Sequence, residues 1–391
     1  MEQSFNNLFY SYYRYIHFKE ENHHRNYLKV NAMMNLALEN NDYPLRDKIL
    51  GFYYYTKKRN LNIPNYLHLC ITDYCQLKCK HCYFGDYERK YTMTPENVRT
   101  IIDKFFGIRE YISSKSNTIL EQTITANLAG GEPLAHPDIL SIIDSIPENK
   151  FNILKILSNG ISYNKEAITK IIPKCDSFVY QISLDGLREN HDFVRGNGTY
   201  NKSIKTLNQL RKDFPNLYIQ VAFNAHHNNY KDVFELSKIV KDLGCNKIFF
   251  DRYVPYWKSE LKMMTQNEYN YYNDSINKTF EELNDENFLV FRNRSMQFDN
   301  NYKCGAGIRH QIAKADGTRI ACTRYHLETG NWYTDDIKTL VENAIRAEIQ
   351  TQQIPLTCIS CEKVDKCVGG MRCLSYICDN KFDTRDKHCL M

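Results

Sequence analysis

The sequence has no run approaching the roughly 18 apolar residues of a membrane span. Its opening, MEQSFNNLFYSYYRYIHF, lacks the basic region and apolar stretch of a secretory signal. A bias of charge is missing too: 51 Lys and Arg stand against 46 Asp and Glu, a formal net charge of +5 with no basic arm. These absences speak against a membrane protein, an exported protein and a nucleic-acid binder, and the expectation is a cytoplasmic chain with neither membrane nor nucleic acid as partner. Cysteine is not scarce, with 14 residues. In a chain that is not exported, that number points to metal binding rather than to a disulfide framework.

The 391 residues are 42% hydrophobic and 25% charged, which suits a globular protein with one large domain and smaller modules. Residues 1–60 read as a helical segment, with Leu28, Met33, Leu36 and Leu38 at roughly helical spacing. The run Lys57, Lys58, Arg59 reads as a solvated linker face. From 61 to 262, strand patterns alternate with helix patterns, as in successive βα units. YLHLCIT alternates Leu67, Leu69 and Ile71 with His68, Cys70 and Thr72. A helix is expected from Thr94 as N-cap and Pro95, with Val98, Ile101, Ile102, Phe105 and Phe106 on one face. Five further strand patterns follow, and the fold class expected is α/β, a partial six-unit β/α barrel whose reactive end is the C-terminal end of its strands. In FVYQISLDG, Gln181, Ser183 and Asp185 share one face; in the next strand Gln220 and Asn224 do the same, which predicts a polar barrel interior and a polar ligand. Residues 263–300 read as a helical connector, and 301–391 as a separate cysteine-rich module.

The stretch CITDYCQLKCKHCYFGDY, residues 70–87, brings Cys75, Cys79 and Cys82 close together directly after the first strand. A structural zinc site wants a fourth Cys or His, for which His81 is a candidate. Three thiolates on a four-iron cluster instead leave one iron open to an outside ligand. CQLKCKHC resembles the signature of radical S-adenosylmethionine (SAM) enzymes. AGGEP, with Gly130, Gly131, Glu132 and Pro133, resembles that family's glycine-rich turn; SNG (Ser158, Asn159, Gly160) and SLDG (Ser183, Asp185) end the next two strands, and HDFVRG carries Arg195. The resemblance implies that Cys75, Cys79 and Cys82 hold the catalytic cluster. It further implies a cofactor cradle of Gly130, Gly131, Glu132, Pro133, Ser158, Asn159, Ser183, Asp185, Arg195 and Asn224, with Tyr83 over the adenine.

In the tail, Cys304, Gly317 and Cys322 precede Cys358, Cys361, Cys367, Cys373, Cys378 and Cys389. This is similar to the SPASM extension, which carries two auxiliary four-iron clusters. By that resemblance Cys304, Cys322 and Cys373 hold the first, and Cys358, Cys361, Cys367 and Cys389 the second, for three [4Fe-4S] clusters in all. Cys378 competes with Cys373, because five residues rather than the usual three separate Cys367 from Cys373; with three thiolates the first cluster keeps an open iron, and Cys378 or His310 joining them would close it. CISCEKVDKC by itself also suits zinc. The family resemblance implies hydrogen abstraction through a 5'-deoxyadenosyl radical, and a maturase that installs an oxidative carbon–carbon or thioether crosslink in a ribosomally made precursor peptide. Its partners are then that peptide and an electron donor such as flavodoxin or ferredoxin, the peptide's leader binding the barrel or a separate leader-binding protein. Dehydrogenation of a small molecule, sulfatase-maturase-like oxidation of a protein Cys or Ser, and noncatalytic electron transfer remain as alternatives. Asp251, Arg252, Tyr253 and Tyr256 are candidates to line the substrate path, and Tyr325 and His326 are others, with surface packing the competing role in each case.

Overall fold

The computed structural model describes residues 2–18, 21–23, 29–30, 32–33, 63–84, 90–116, 123–255, 259–292, 304–351, 354–367 and 369–389. Leu28, Leu36, Leu38, the run Lys57, Lys58, Arg59 and Tyr256 lie outside the described residues.

Six strands follow one another in space as they do in sequence, all parallel: β1 (Tyr66–Thr72), β2 (Thr125–Gly130), β3 (Phe151–Ser158), β4 (Cys175–Ser183), β5 (Tyr218–Ala225) and β6 (Lys247–Arg252). The crossovers carry α2 (Pro95–Ser116), α3 (Ile139–Ser145), α4 (Lys165–Ile171), α5 (Arg188–Arg195), α6 (Thr199–Asp213) and α7 (Val233–Asp242). In β1, Leu67, Leu69 and Ile71 enter the main apolar core, whereas Cys70 on the other face packs with Ile312 and Ile320. Helix α2 starts on a reciprocal cap: Asn97 N–H donates to Thr94 Oγ1 and Thr94 N–H donates to Asn97 Oδ1. Its Val98, Ile101, Ile102 and Phe105 are buried, each contributing roughly 1.5–3 kcal/mol of transfer free energy.

Two further parallel strands extend the sheet. The 263–300 segment holds the expected helix, α8 (Gln266–Leu283), started by a Thr265–Glu268 capping box, and then a strand that the sequence reading did not foresee, β7 (Leu289–Arg292), on the free edge of β6. At the other edge β8 (His310–Ala313) pairs parallel with β1, and β9 (Thr318–Cys322) and β10 (Tyr325–Asn331) add to it antiparallel. The result is one ten-stranded open sheet. The cysteine-rich tail therefore shares the barrel's sheet, and its hairpin protects an edge that would otherwise be open to pairing. Gly317, at φ +85°, makes the β8–β9 turn, where a Cβ would lie 2.3 Å from the Tyr333 ring. Helix α9 (Ile337–Thr351) and the short helices α10 (Leu356–Ile359), α11 (Val364–Cys367) and α12 (Arg372–Asp379) complete the tail. Helix α1 (Glu2–Phe18) buries Phe9, Tyr10, Tyr12, Tyr13 and Phe18 and is fixed to α9 by Arg346, whose guanidinium lies 4.2 Å from the Tyr10 ring centre.

Candidate active site and cysteine centres

Cys75, Cys79 and Cys82 occupy the loop leaving β1, at the C-terminal edge of the parallel strands. Main-chain bonds hold this loop to its neighbours. Gly131 N–H donates to Thr72 O and Glu132 N–H to Tyr74 O, both at 2.7 Å, while Lys80 N–H donates to Val194 O of α5 at 2.9 Å. A Cβ on Gly130 would sit 2.2 Å from Thr72 O, and one on Gly131 2.1 Å from Tyr74 O. The paired glycines thus let the cysteine loop approach. From the end of β3, Asn159 Nδ2 reaches Cys75 Sγ at 3.5 Å and Ser162 Oγ accepts from Gln76 at 2.6 Å.

Glu132 is wholly buried, and its carboxylate accepts from Ser158 Oγ at 2.9 Å, Asn159 N–H at 2.7 Å and Leu134 N–H at 3.3 Å. Burial pushes it up to about 7 against those donors. Three of the roughly four acceptor positions of a carboxylate are thereby used within the protein, so Glu132 ties the β2 turn to the β3 turn. Asp185, after β4, accepts from Arg195 Nε and pairs with His81 Nε2, each at 2.6 Å, and accepts from Asn224 N–H at 2.9 Å. Burial opposes its charge, but Arg195 and His81 outweigh burial and hold it well below the usual carboxylate range. The carboxylate that Arg195 grips is accordingly the protein's own. Arg195 also lies close enough to Cys79 to favour its thiolate, although burial dominates and pushes that thiol up to about 12. His81, a candidate fourth zinc ligand by sequence, is turned to Asp185 instead.

Ser183 and Asn224 are half-buried at the strand ends, and among the described residues their side chains make no protein hydrogen bond. Deeper in the interior, Gln220 Nε2 donates to Gln181 Oε1 at 2.8 Å across β4 and β5. Tyr83 packs on Phe84, ring centres 4.8 Å apart, and Pro133 opens the short turn after Glu132. Spacing gave no sign of Asn229, whose Nδ2 donates to Asp185 O and Asn224 O and so ties the ends of β4 and β5, nor of His191, whose Nδ1 accepts from Asp185 N–H.

The tail thiols fall into two sets. Cys304, Cys322 and Cys373 lie within electrostatic reach of one another in a small apolar cluster with Tyr325 and Phe382. Burial pushes Cys322 up to about 12, with Cys373 and Cys304 adding to it. Cys378 is exposed, and its charged neighbours are Lys387, Asp379 and Asp386. The geometry therefore favours Cys373 over Cys378 as the third member. Tyr325 is 2% exposed against this set rather than packed at the surface; His326 is exposed. The second set, Cys358, Cys361, Cys367 and Cys389, lines one cavity together with Arg252 and Asp386. Arg252, read as lining the substrate path, is buried in an ion pair with Asp386, and Tyr253 is buried with Val194 and Leu261.

No disulfide joins the cysteines, and among the described residues no group of three or more His, Cys, Asp or Glu is drawn together to hold a metal ion. Sets of three or four thiolates are the ligands that four-iron clusters take. The donor sets fit such groups: three thiols beside Asn159 and Arg195 in the barrel, and four around one cavity in the tail. Among the described residues no helix is long and apolar enough to cross a membrane.

Residues 69–238 match the model of the radical SAM superfamily, whose members use SAM and a four-iron cluster. The chain is 26% identical over 183 residues to the antilisterial bacteriocin subtilosin biosynthesis protein AlbA of Bacillus subtilis (strain 168), covering 46% of this chain and 38% of AlbA. It is 27% identical over 180 residues to mycofactocin maturase MftC of Mycobacterium ulcerans (strain Agy99), 45% of each. The matched stretch thus spans less than half the length of these relatives. Among solved structures, SuiB of Streptococcus suis bound to S-adenosylmethionine superposes with a TM-score of 0.65 over 92% of this chain and 86% of that one, at 16% identity, a likeness of fold. The parallel sheet, the motifs at its strand ends and the match over residues 69–238 make that stretch of the chain similar to the radical SAM superfamily.

Proposed function

We propose that this chain is a maturase of a ribosomally made precursor peptide, installing an oxidative crosslink, and that it works with three four-iron clusters. The reading rests above all on the three thiols at the C-terminal mouth of the parallel strands, with Asn159 beside Cys75 and Arg195 near Cys79. It is supported by the names of relatives: AlbA serves bacteriocin biosynthesis, MftC is a maturase, and SuiB has been solved with its precursor peptide SuiA.

When bound, the cluster with SAM supplies one-electron cleavage of the cofactor and a carbon radical that takes a hydrogen atom from the substrate. The chain's own residues prepare for this. Asn159 donates to Cys75, and Arg195 favours the thiolate of Cys79. Ser183 and Asn224 offer hydrogen-bonding groups at the mouth, where the cofactor's polar parts would lie. A crosslink removes two hydrogens from the peptide: one leaves as an atom, the other as a proton and an electron. The tail's thiol sets hold the proposed acceptor of that electron, and a flavodoxin or ferredoxin is the proposed donor of the first one.

Anaerobic reconstitution tests the reading. About twelve irons per chain are expected for three four-iron clusters, with 5'-deoxyadenosine formed on reduction with SAM and none from Cys79→Ala. A candidate precursor peptide should lose two hydrogens in mass per crosslink. Zinc in place of iron, with no nucleoside, would overturn it.

A further inference from the structure

Consecutive residues at the end of β6 reach the two tail thiol sets. Asp251 pairs with Arg324 Nη2, and Arg324 N–H reaches Cys322 Sγ at 3.4 Å. Arg252 pairs with Asp386 in a two-pronged bond, Nη1 to Oδ1 at 3.1 Å and Nη2 to Oδ2 at 2.8 Å. Both partners line the cavity with Cys358, Cys361, Cys367 and Cys389. Asp386 is held in turn by the N–H groups of Met371 at 2.8 Å and His388 at 2.9 Å. The Tyr269 ring covers the guanidinium at 5.2 Å and stacks on His388.

Two facts go beyond a simple brace. Arg252 is only 2% exposed, and its Nε is buried without a hydrogen-bond partner. A buried guanidinium with an unused N–H is costly unless something accepts it, and Arg252 lines the cavity of the four thiols. The sulfurs of a thiolate-bound cluster are acceptors, and a cation with a hydrogen bond to those sulfurs favours the more negative, reduced state.

We propose that Arg252, which lines the same cavity as Cys358, Cys361, Cys367 and Cys389, places its charge beside the group those thiols hold and thereby raises that group's reduction potential. Asp386 keeps the guanidinium in place and offsets part of its charge. Arg252 is thus a positioning residue through which the reactive end of the barrel sets the poise of the second tail cluster. This rests on the reading that those four thiols hold a four-iron cluster, which Cys361→Ala tests separately: iron content unchanged in that variant would sink the reading itself.

The experiment is a potentiometric titration of the reconstituted full chain followed by electron paramagnetic resonance. The relevant signal is the one lost in Cys361→Ala. Arg252→Met should lower its midpoint enough to cut the reduced-to-oxidised ratio tenfold or more at fixed potential, about 59 mV for one electron. Asp386→Asn leaves the guanidinium charge unopposed and should raise the midpoint. Arg252→Lys, which keeps the charge and loses the fork, should fall between wild type and Arg252→Met. Opposite signs for Arg252→Met and Asp386→Asn are what an electrostatic role requires and a brace does not produce. Shifts of one sign, no shift with iron retained, or loss of the cluster's iron in both variants would each overturn the proposal.

Discussion

Asp185→Ala is the sharpest test of how the mouth of the barrel is built. The carboxylate is 1% exposed and holds Arg195 Nε and His81 Nε2 at 2.6 Å and the Asn224 N–H at 2.9 Å. At that separation the Coulomb attraction between Asp185 and Arg195 is on the order of 6 kcal/mol at an effective dielectric near 20. Desolvation of both ions consumes much of that attraction, so the net worth of the pair is small, but removing one partner leaves the other charge buried. Truncating Asp185 should therefore cost about 3–5 kcal/mol, a fall in Tm of about 4–6 °C for a chain of this length. Arg195→Met should cost a similar amount, because it strands Asp185. The double variant should cost less than the sum of the two, since neither stranded charge remains. Thermal unfolding of the four proteins completes the cycle, and strict additivity would refute the view that these residues act as one buried unit.

The tail assignment predicts that Cys373→Ala lowers iron content and Cys378→Ala leaves it unchanged; the reverse would reassign the first tail set. The close approach of two backbones predicts that Gly131→Ala, whose Cβ would meet Tyr74 O at 2.1 Å, displaces the cysteine loop and loses iron from it. Gly198→Ala, with φ +76° and nothing within 4 Å, should cost only about 1–2 kcal/mol of backbone strain and keep its iron; equal iron loss in both would remove the steric argument. Burial holds His68, His191 and His226 down to about 4. The unfolded chain, with ordinary histidines near 6.5, then binds more protons between those values, so stability is full above about 6.5 and falls toward 4, by about 1.4 kcal/mol per pH unit for each histidine. A Tm that stays level across that window would contradict their burial.

The six barrel strands were legible because alternation marks one face, as Leu67, Leu69 and Ile71 do in β1. β7 and β8 are four residues each, too short for alternation to show, so the joining of the tail to the barrel's sheet could not be read. Glu132 and Asp185 after their strands, and Arg195 at the end of α5, were legible as polar residues; their partners were not. Spacing says which strand end a side chain leaves, not which neighbour it meets, and His81 lies 104 positions from Asp185 in the chain. Arg252 shows a further loss. Read with Asp251 as a pair lining one path, the two point to opposite faces of β6, and alternation within IFFDR already carried that information.

The glycines carry the last step. A residue without Cβ serves equally where a ligand or another backbone comes close, so AGGEP alone could not distinguish the two. The structure gives the space to the cysteine loop, whose Thr72 and Tyr74 carbonyls accept from Gly131 and Glu132. Those bonds fix the chain one residue before Cys75, and Asn159, bonded to Glu132 through its N–H, reaches the Cys75 sulfur. Protein hydrogen bonds thus tie the start of the cysteine loop to the turns after β2 and β3.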